Sequence, residues 1–243
     1  MRSPPFSFKL LKIDDFEPFE ISYEFPPLLE GIYLERLNRF TGSLKFENRI
    51  VNVHIPNSGR LQEVLKKGRK AYFSPKKGLK TEGFLQLIKE GEKFVSIDAR
   101  IPNKLMERLL QKMVGKSKII KREAKINGRR MDFLIEDSKR IWIETKSITL
   151  VENGFGLFPD SPTQRGREHL KELIKIKEKG EEGIIVFIVQ REDAEKFSPN
   201  RKIDPEFSDL LKGAVLKGIE VFAFNCSVSL ERISLYKRLE VIL

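Results

Sequence analysis

Residues 130–146 read RMDFLIEDSKRIWIETK: an acid at Asp132, a polar break over 136–140, and Glu144-Thr145-Lys146 closing an apolar run. Met131 to Ile135 and Ile141 to Ile143 flank Glu136-Asp137-Ser138-Lys139-Arg140, the pattern of a β-hairpin. Side chains alternate along a strand, so Trp142, Glu144 and Lys146 share one face and Ile141, Ile143 and Thr145 the other. A three-residue loop sets Asp132 directly opposite Glu144. A two-residue loop offsets the pair by about one position and turns the side chains to opposite faces. In the first case two carboxylates and an ammonium converge. Two acids can hold Mg²⁺ through one or two oxygens, with water completing the shell. Such a metal activates water and stabilises phosphate charge, and Lys146 can orient that water or neutralise the transition state. On pattern alone a solvated cross-strand ion pair is the plainer account, because Glu, Lys and Asp are common in this chain.

The flanks of the hairpin read as mixed helix and strand. Asn103 to Val114 is an amphipathic helix with Leu105, Leu109, Leu110 and Met113 on one stripe. A strand at Ile119 to Ile126 leads into the hairpin, and Asn153-Gly154 marks a tight turn beyond it. Ser161-Pro162-Thr163-Gln164 predicts a helix start, with Ser161 as N-cap, Pro162 at the first helical position and Gln164 closing a capping box. That helix runs to Lys179 and stops at Gly180. Leu170, Leu173, Ile174 and Lys177 face its core side, and Arg165 and His169, one turn apart, share a neighbouring face. Ile184 to Val189 and Ile219 to Phe224 read as buried strands with a helix over Pro205 to Leu216 between them. A strand or two follows in residues 227–243.

Residues 28–85 are different. Gly31 to Phe40, Ser43 to Phe46, Ile50 to Ile55, Lys70 to Ser74 and Gly83 to Ile88 are short strands, with a helical insert predicted over Arg60 to Lys67. Such a set suits a small barrel of the OB type, a fold that often binds oligonucleotides. Tyr33, Phe40, Phe46, Tyr72 and Phe73 interleave with cations, as in single-strand binders, although aromatics in a small barrel more often form its core. Ile55-Pro56-Asn57-Ser58-Gly59-Arg60 is an irregular loop. Arg60, at the start of the predicted helix, is badly placed for the dipole unless an anion is nearby.

The chain has 243 residues, 40% hydrophobic and 33% charged, with net charge +11 and a pI near 9.6. Residues 31–80 hold twelve Lys and Arg against three Glu, a local +9. This points to a polyanionic partner, nucleic acid before an anionic membrane. A Lys-rich, Gln-poor thermophile-like composition accounts for part of the same excess. The single cysteine, Cys226, excludes an internal disulfide framework and fits a reducing, cytoplasmic setting. With only His54 and His169 present, a multi-His metal site is excluded. His54 reads more often as a packed strand histidine than as a ligand. No signal peptide is evident, and no apolar stretch is long enough to span a bilayer.

One longer string changes the balance. Arg130-Met131-Asp132-Phe133-Leu134, Glu144-Thr145-Lys146-Ser147-Ile148-Thr149-Leu150 and Phe158-Pro159-Asp160-Ser161-Pro162-Thr163-Gln164-Arg165-Gly166-Arg167-Glu168-His169-Leu170 together resemble the sugar fermentation stimulation protein A family. The resemblance extends to Asn38-Arg39-Phe40, His54 through Arg60, and Ile203-Asp204-Pro205. It implies an α/β (α+β) chain: an OB-like DNA-binding barrel over 1–88, then a PD-(D/E)XK nuclease-like mixed sheet flanked by helices over 89–243. It implies DNA binding without strong sequence preference and a regulatory role in sugar, notably maltose, utilisation, with an active Mg- or Mn-dependent DNA endonuclease as the alternative. By resemblance, Asp132, Glu144 and Lys146 fall on the nuclease triad, and Glu107, beside Asn103, matches a further acid. Glu123 is a rival for that role. Asp132, Glu144 and the Thr145 carbonyl would hold Mg or Mn. Arg36, Arg39, Arg60, Lys70, Arg165 and His169 are the expected DNA contacts, with helix-surface pairing as the alternative for Arg165 and His169. Thr145 stands where Val is more familiar, and Ser161 where Ala is common.

Overall fold

The structure, a computed structural model, describes residue 17 and residues 19–76, 80–114, 119–136 and 139–243. A short strand β1 (Ser22–Glu24) precedes β2 (Leu29–Asn38), β3 (Thr41–Phe46), β4 (Arg49–His54), β5 (Lys70–Pro75) and β6 (Gly83–Glu90), with β7 (Lys93–Ser96) beside β6. Strand order β4-β3-β2-β5-β6 closes on itself through a parallel β4–β6 pairing, His54↔Phe84, into a five-stranded OB-like barrel. The alternation that suggested strands is the alternation of burial. On β4, Val51 and Val53 point in while Arg49 and Asn52 point out. Tyr33, Leu44, Ile55, Phe73, Leu85 and Ile97 complete the barrel core.

The predicted helix over 60–67 does not form. Leu61 adopts a positive φ of 54°, and the segment closes in tight turns through Val64 N and Leu65 N donating to the Leu61 carbonyl. Leu61 and Val64 are buried in the barrel, so tertiary burial overrides local helix preference.

The second half comprises α1 (Ile101–Val114), β8 (Ile119–Ile126), β9 (Arg129–Glu136), β10 (Arg140–Ile148), β11 (Val151–Glu152), β12 (Phe155–Phe158), α2 (Gln164–Glu178), β13 (Glu182–Val189), β14 (Lys196–Pro199), α3 (Pro205–Leu216), β15 (Glu220–Val228), β16 (Arg232–Arg238) and β17 (Glu240–Val241). Seven strands form one mixed sheet in the order β1-β16-β15-β13-β10-β9-β8, with β10, β13 and β15 parallel at its centre. The Gly183–Val189 run is buried throughout, as expected of a parallel strand covered on both faces. Leu105, Leu109 and Leu110 of α1 pack on one face against Phe133, Ile143 and Val186. Leu170 and Leu173 of α2 and Phe207 and Leu211 of α3 pack on the other, against Trp142 and Phe187. A small sheet, β11-β12-β14-β17, sits beside them, its hairpin turned by Asn153 (φ 51°) and Gly154 (φ 79°).

Two boundaries differ from expectation. The barrel sheet continues through Ser96, past the expected limit at residue 88, because β7 pairs with β6. β1 crosses to the far edge of the mixed sheet, where Tyr23 pairs with Ile233. The halves are therefore interlocked, and one core cluster joins Tyr72 and Leu87 of the barrel to α1 and the sheet. The α2 start also moves: Thr163, not Ser161, is the N-cap, accepting from Gly166 N at 3.1 Å. The buried Asp204 carboxylate sets this register, accepting from Thr163 N and Arg167 while capping α3 through Phe207 N.

Candidate functional site

The β9–β10 ladder pairs Glu136 with Arg140 and runs to Phe133↔Ile143. This is the register of the three-residue connection, although Asp137 and Ser138 of the predicted turn lie outside the described residues. Beyond Phe133 the strands part. The Thr145 amide donates to Asp132 Oδ2 at 2.8 Å, and Asn103 Nδ2 of α1 donates to Oδ1 at 2.9 Å. The Asp132 carboxylate is thus clamped by the sheet and by the helix start, at the point where the sheet opens.

Glu144, one strand over, is almost fully buried. Its Oε1 accepts from both Lys146 Nζ and His169 Nδ1, and those two nitrogens lie 3.3 Å apart. Its Oε2 is buried and has no hydrogen-bond partner, and neither has the Thr145 hydroxyl. Burial by itself would raise the Glu144 pKa, but the charge of Lys146 and the hydrogen bond from His169 outweigh it and hold the carboxyl below its ordinary range. Asp132 goes the other way. Burial, then the negative charge of Glu144, raise it above the ordinary range against the opposing Thr145 amide, Lys146 and Asn103. Two neighbouring carboxyls driven in opposite directions are a frequent property of reactive sites.

These groups form one wall of a cleft of about 540 Å³. The other wall is the barrel loop predicted as irregular, with Asn57, Ser58 and Gly59 facing in. Asn57 Nδ2 donates to the Ile97 carbonyl at 2.9 Å and its Oδ1 accepts from Gly59 N, closing the loop on itself. Asp160 comes from the opposite half and accepts from Leu61 N at 3.2 Å. A Cβ at Gly59 would sit 2.7 Å from Asp160 Oδ2, so a side chain here would push the Asp160 carboxylate from its place against Leu61 N. Arg39 and Arg165 lie at the cleft, both exposed.

Several expected contacts sit elsewhere. The Arg36 guanidinium donates to the carbonyls of Gly59, Arg60, Arg39 and Asn57. It braces the loop and is not a free cation for DNA. Lys70 pairs with Glu30 at 2.8 Å and is not among the residues lining the cleft. Arg60 opens onto a separate groove with Tyr33, Gln62 and Lys67. Glu107 pairs with Arg122 of β8 at 3.3 Å, so Asn103, one turn before it, is the α1 residue that reaches Asp132. Glu123 is exposed and pairs with Arg130. His169 lies inside the wall against Glu144 and not on an open helix face. The local +9 is also reduced in space, because Arg49, Arg69 and Lys70 are met by Glu82, Glu90 and Glu30. Of the barrel aromatics, Tyr33, Tyr72 and Phe73 are core, while Phe40 is exposed. Sequence reasoning assigned no role to Asp160 or Asn57, whose signal was only their place in a Pro- and Gly-rich loop string.

Comparison with known proteins covers both halves. Residues 34–97 match the SfsA N-terminal OB domain and residues 100–232 the sugar fermentation stimulation protein RE domain. A sugar fermentation stimulation protein homolog of Caldanaerobacter subterraneus is 38% identical over 89% of this chain and 98% of its own length. The Aquifex aeolicus homolog is 39% identical over 86% of this chain and 95% of its own. The structure of Pyrococcus furiosus SfsA superposes with a TM-score of 0.84 at 36% identity, covering 94% of this chain and all of that one. No helix among the described residues is long and apolar enough to cross a membrane. With both domain types matched in order and relatives aligned over nearly their whole length, the chain belongs to the sugar fermentation stimulation protein family.

Proposed function

We propose that this protein binds DNA with little sequence preference across the cleft between barrel and sheet, and that it carries a divalent-metal site of nuclease type. The observation that carries the reading is Glu144 Oε2, a buried carboxylate oxygen without a partner, on a residue that lines the same cleft as Asp132. Buried polar atoms are nearly always satisfied, so an orphan at a cleft calls for a ligand. The donor set fits Mg²⁺ or Mn²⁺: the carboxylates of Asp132 and Glu144 with the Thr145 main-chain carbonyl, all oxygens. Among the described residues no three or more His, Cys, Asp or Glu side chains gather as a fuller cage. The set therefore leaves room for water and phosphate oxygens, as Mg²⁺ prefers. The Ca²⁺ complex of the Pyrococcus furiosus relative supports a site for hard divalent cations in this family. Bound metal would neutralise the carboxylate pair and polarise a phosphate oxygen.

The chain's own residues do the rest. Asn103 and the Thr145 amide hold Asp132 in one orientation. His169 and Lys146 keep Glu144 ionised despite its burial. Arg39 and Arg165, exposed at the cleft, meet phosphates on either side. In this reading DNA binding serves the regulation of sugar utilisation, in keeping with the name of the relatives.

A second reading, cleavage of the bound phosphodiester, is favoured by one feature. Lys146 Nζ sits at the cleft beside the acid pair, where it can steady developing negative charge. Calorimetric titration with Mn²⁺ tests the site: the wild type should bind and an Asp132→Ala, Glu144→Ala variant should not. Equal binding by both would reduce the triad to an ion-pair cluster. Incubating both proteins with supercoiled, linear, branched and single-stranded DNA, with Mg²⁺, Mn²⁺ or EDTA, then decides cleavage. Products from the wild type alone make it an enzyme.

A further inference from the structure

Three side chains at one end of the barrel are used by neither the core nor the metal site. Phe40 follows β2, His54 ends β4 and Phe84 lies near the start of β6, where the β4–β6 pairing closes the barrel. The Phe40 and His54 rings stack, with centroids 6.1 Å apart and planes 21° apart, and Phe84 meets His54 edge-on at 5.4 Å. Phe40 is 44% exposed, and His54 and Phe84 are half-buried. The barrel's hydrophobic core cluster, with Tyr33 and Phe73, does not include these three.

Cations border this strip. Arg39 lies 5.4 Å from the Phe40 ring centroid, and Arg100 and Lys76 each lie 5.2 Å from that of Phe84. Asp98 takes up the charge of Arg100 through a two-point ion pair, Nη2 to Oδ2 at 2.6 Å and Nε to Oδ1 at 2.8 Å, so Arg100 packs beside Phe84 as a brace and Arg39 and Lys76 are the cations left to the strip. The strip is continuous with the cleft. Arg39 and Ala99 line the cleft, and each is the chain neighbour of a strip residue, Phe40 and Arg100. Ile55 N donates to the Phe40 carbonyl and Ala99 N to the Pro56 carbonyl, tying the strip to the loop that forms the cleft wall.

We propose that Phe40, His54 and Phe84, with Arg39 and Lys76, form a stacking platform for unpaired bases that leads single-stranded DNA into the Asp132–Glu144 cleft. Partly exposed rings beside guanidinium and ammonium groups match the two chemistries of a single strand, stackable bases and a phosphate backbone, with a base free to take the place of a ring's present neighbour. A duplex hides its base faces and cannot use the rings. The proposal rests on the DNA-binding reading above and narrows its substrate to single-stranded or locally unpaired DNA.

The test is fluorescence anisotropy with the full chain in EDTA, so that nothing is cut. The probes are a labelled single-stranded DNA of about 20 nucleotides, longer than a single OB-type site, its duplex, and an RNA of the same sequence. Loss of one stacked base costs about tenfold or more in affinity. Phe40→Ala should therefore weaken single-strand binding by about tenfold, and Phe40→Ala with Phe84→Ala by about a hundredfold. Duplex binding should stay within about twofold, and Phe40→Tyr should retain single-strand affinity, since a phenol ring stacks equally well. Phe40 is exposed, so its removal leaves the fold intact, which a melting curve checks. Undiminished single-strand binding in the variants, equal losses on single strand and duplex, or tighter binding of RNA than of DNA would each overturn the platform while leaving DNA binding standing. A wild type that binds neither DNA form overturns both readings.

Discussion

The two walls of the cleft are held rigid by opposite means. On the sheet wall, charged side chains grip one another: Glu144 accepts from Lys146 and His169, and Asp132 takes an amide and Asn103. On the barrel wall, side chains grip backbone: Arg36 gathers the carbonyls of a loop that has no regular hydrogen bonding of its own. Each wall leaves an atom of a charged side chain unmet, an acceptor in Glu144 Oε2 on the sheet side and a donor in Arg36 Nε on the barrel side, while the Arg36 Nη groups satisfy the loop carbonyls. Charge is chemistry on one side and scaffolding on the other. An arginine in a basic stretch can therefore be a brace, and its charge cannot be counted toward a ligand until its hydrogen bonds are known.

Substitutions can sharpen or break this contrast. The largest effect is expected at Lys146. Lys146→Met leaves Glu144 buried with one partner fewer, and breaking a buried pair costs about 3–5 kcal/mol. Urea unfolding in EDTA should show that loss, and Mn²⁺ should restore part of it if the carboxylates bind metal. A loss below about 1 kcal/mol would mean that the pair is solvated.

Arg36→Ala comes next. It removes four hydrogen bonds to part-buried and exposed loop carbonyls, each worth about 0.5–1.5 kcal/mol, for an expected total of about 2–4 kcal/mol by urea unfolding. Were Arg36 a DNA contact instead, stability would hold and only DNA affinity would fall.

A smaller effect is expected where the walls meet at the Glu63–Thr149 hydrogen bond, 2.9 Å long. Burial raises the Glu63 carboxyl above its ordinary range, against opposing hydrogen bonds from its own amide and from Thr149. For such a group stability is full below the ordinary carboxylate range and is lost as pH rises through the folded value. Glu63→Gln keeps an acceptor for Thr149 and cannot ionise. It should melt above the wild type near about pH 7.5, with the gap closing near about pH 4. A gap that widens on acidification would show that the ionised carboxylate is the stabilising form.

Arg39→Ala should change stability least, within about 0.5 kcal/mol, as for an exposed site. It should nevertheless lower DNA affinity and flatten its dependence on salt, since each phosphate contact releases counterion. The pair Arg36 and Arg39, three residues apart, thus separates brace from contact in two measurements.

Much of this arrangement is written locally. Alternation of apolar residues places β2 to β6 within a residue or two, and Asn153-Gly154 marks its hairpin. The spacing from Asp132 to Glu144 contains the acid pair once the connection has three residues, because strand periodicity carries side chains across a ladder in a countable way. What periodicity cannot hold is the partner of a charged side chain. Arg69 and Arg191 both pair with Glu90, Asp160 meets Leu61, and Asp204 binds Thr163. These partners are many residues distant and are chosen by how the barrel seats on the sheet. That seating turned the +9 stretch into a partly neutralised surface. It moved the α2 cap to Thr163, made turns of a predicted helix by burying Leu61 and Val64, and drew His169 in against Glu144. Periodicity is a property of neighbours in the chain, so the sequence determined most of the strands and the three long helices, and offered the acid pair as one of two hairpin registers. Burial and ion pairing depend on neighbours in space, so only the tertiary structure decided which charges remain at the cleft.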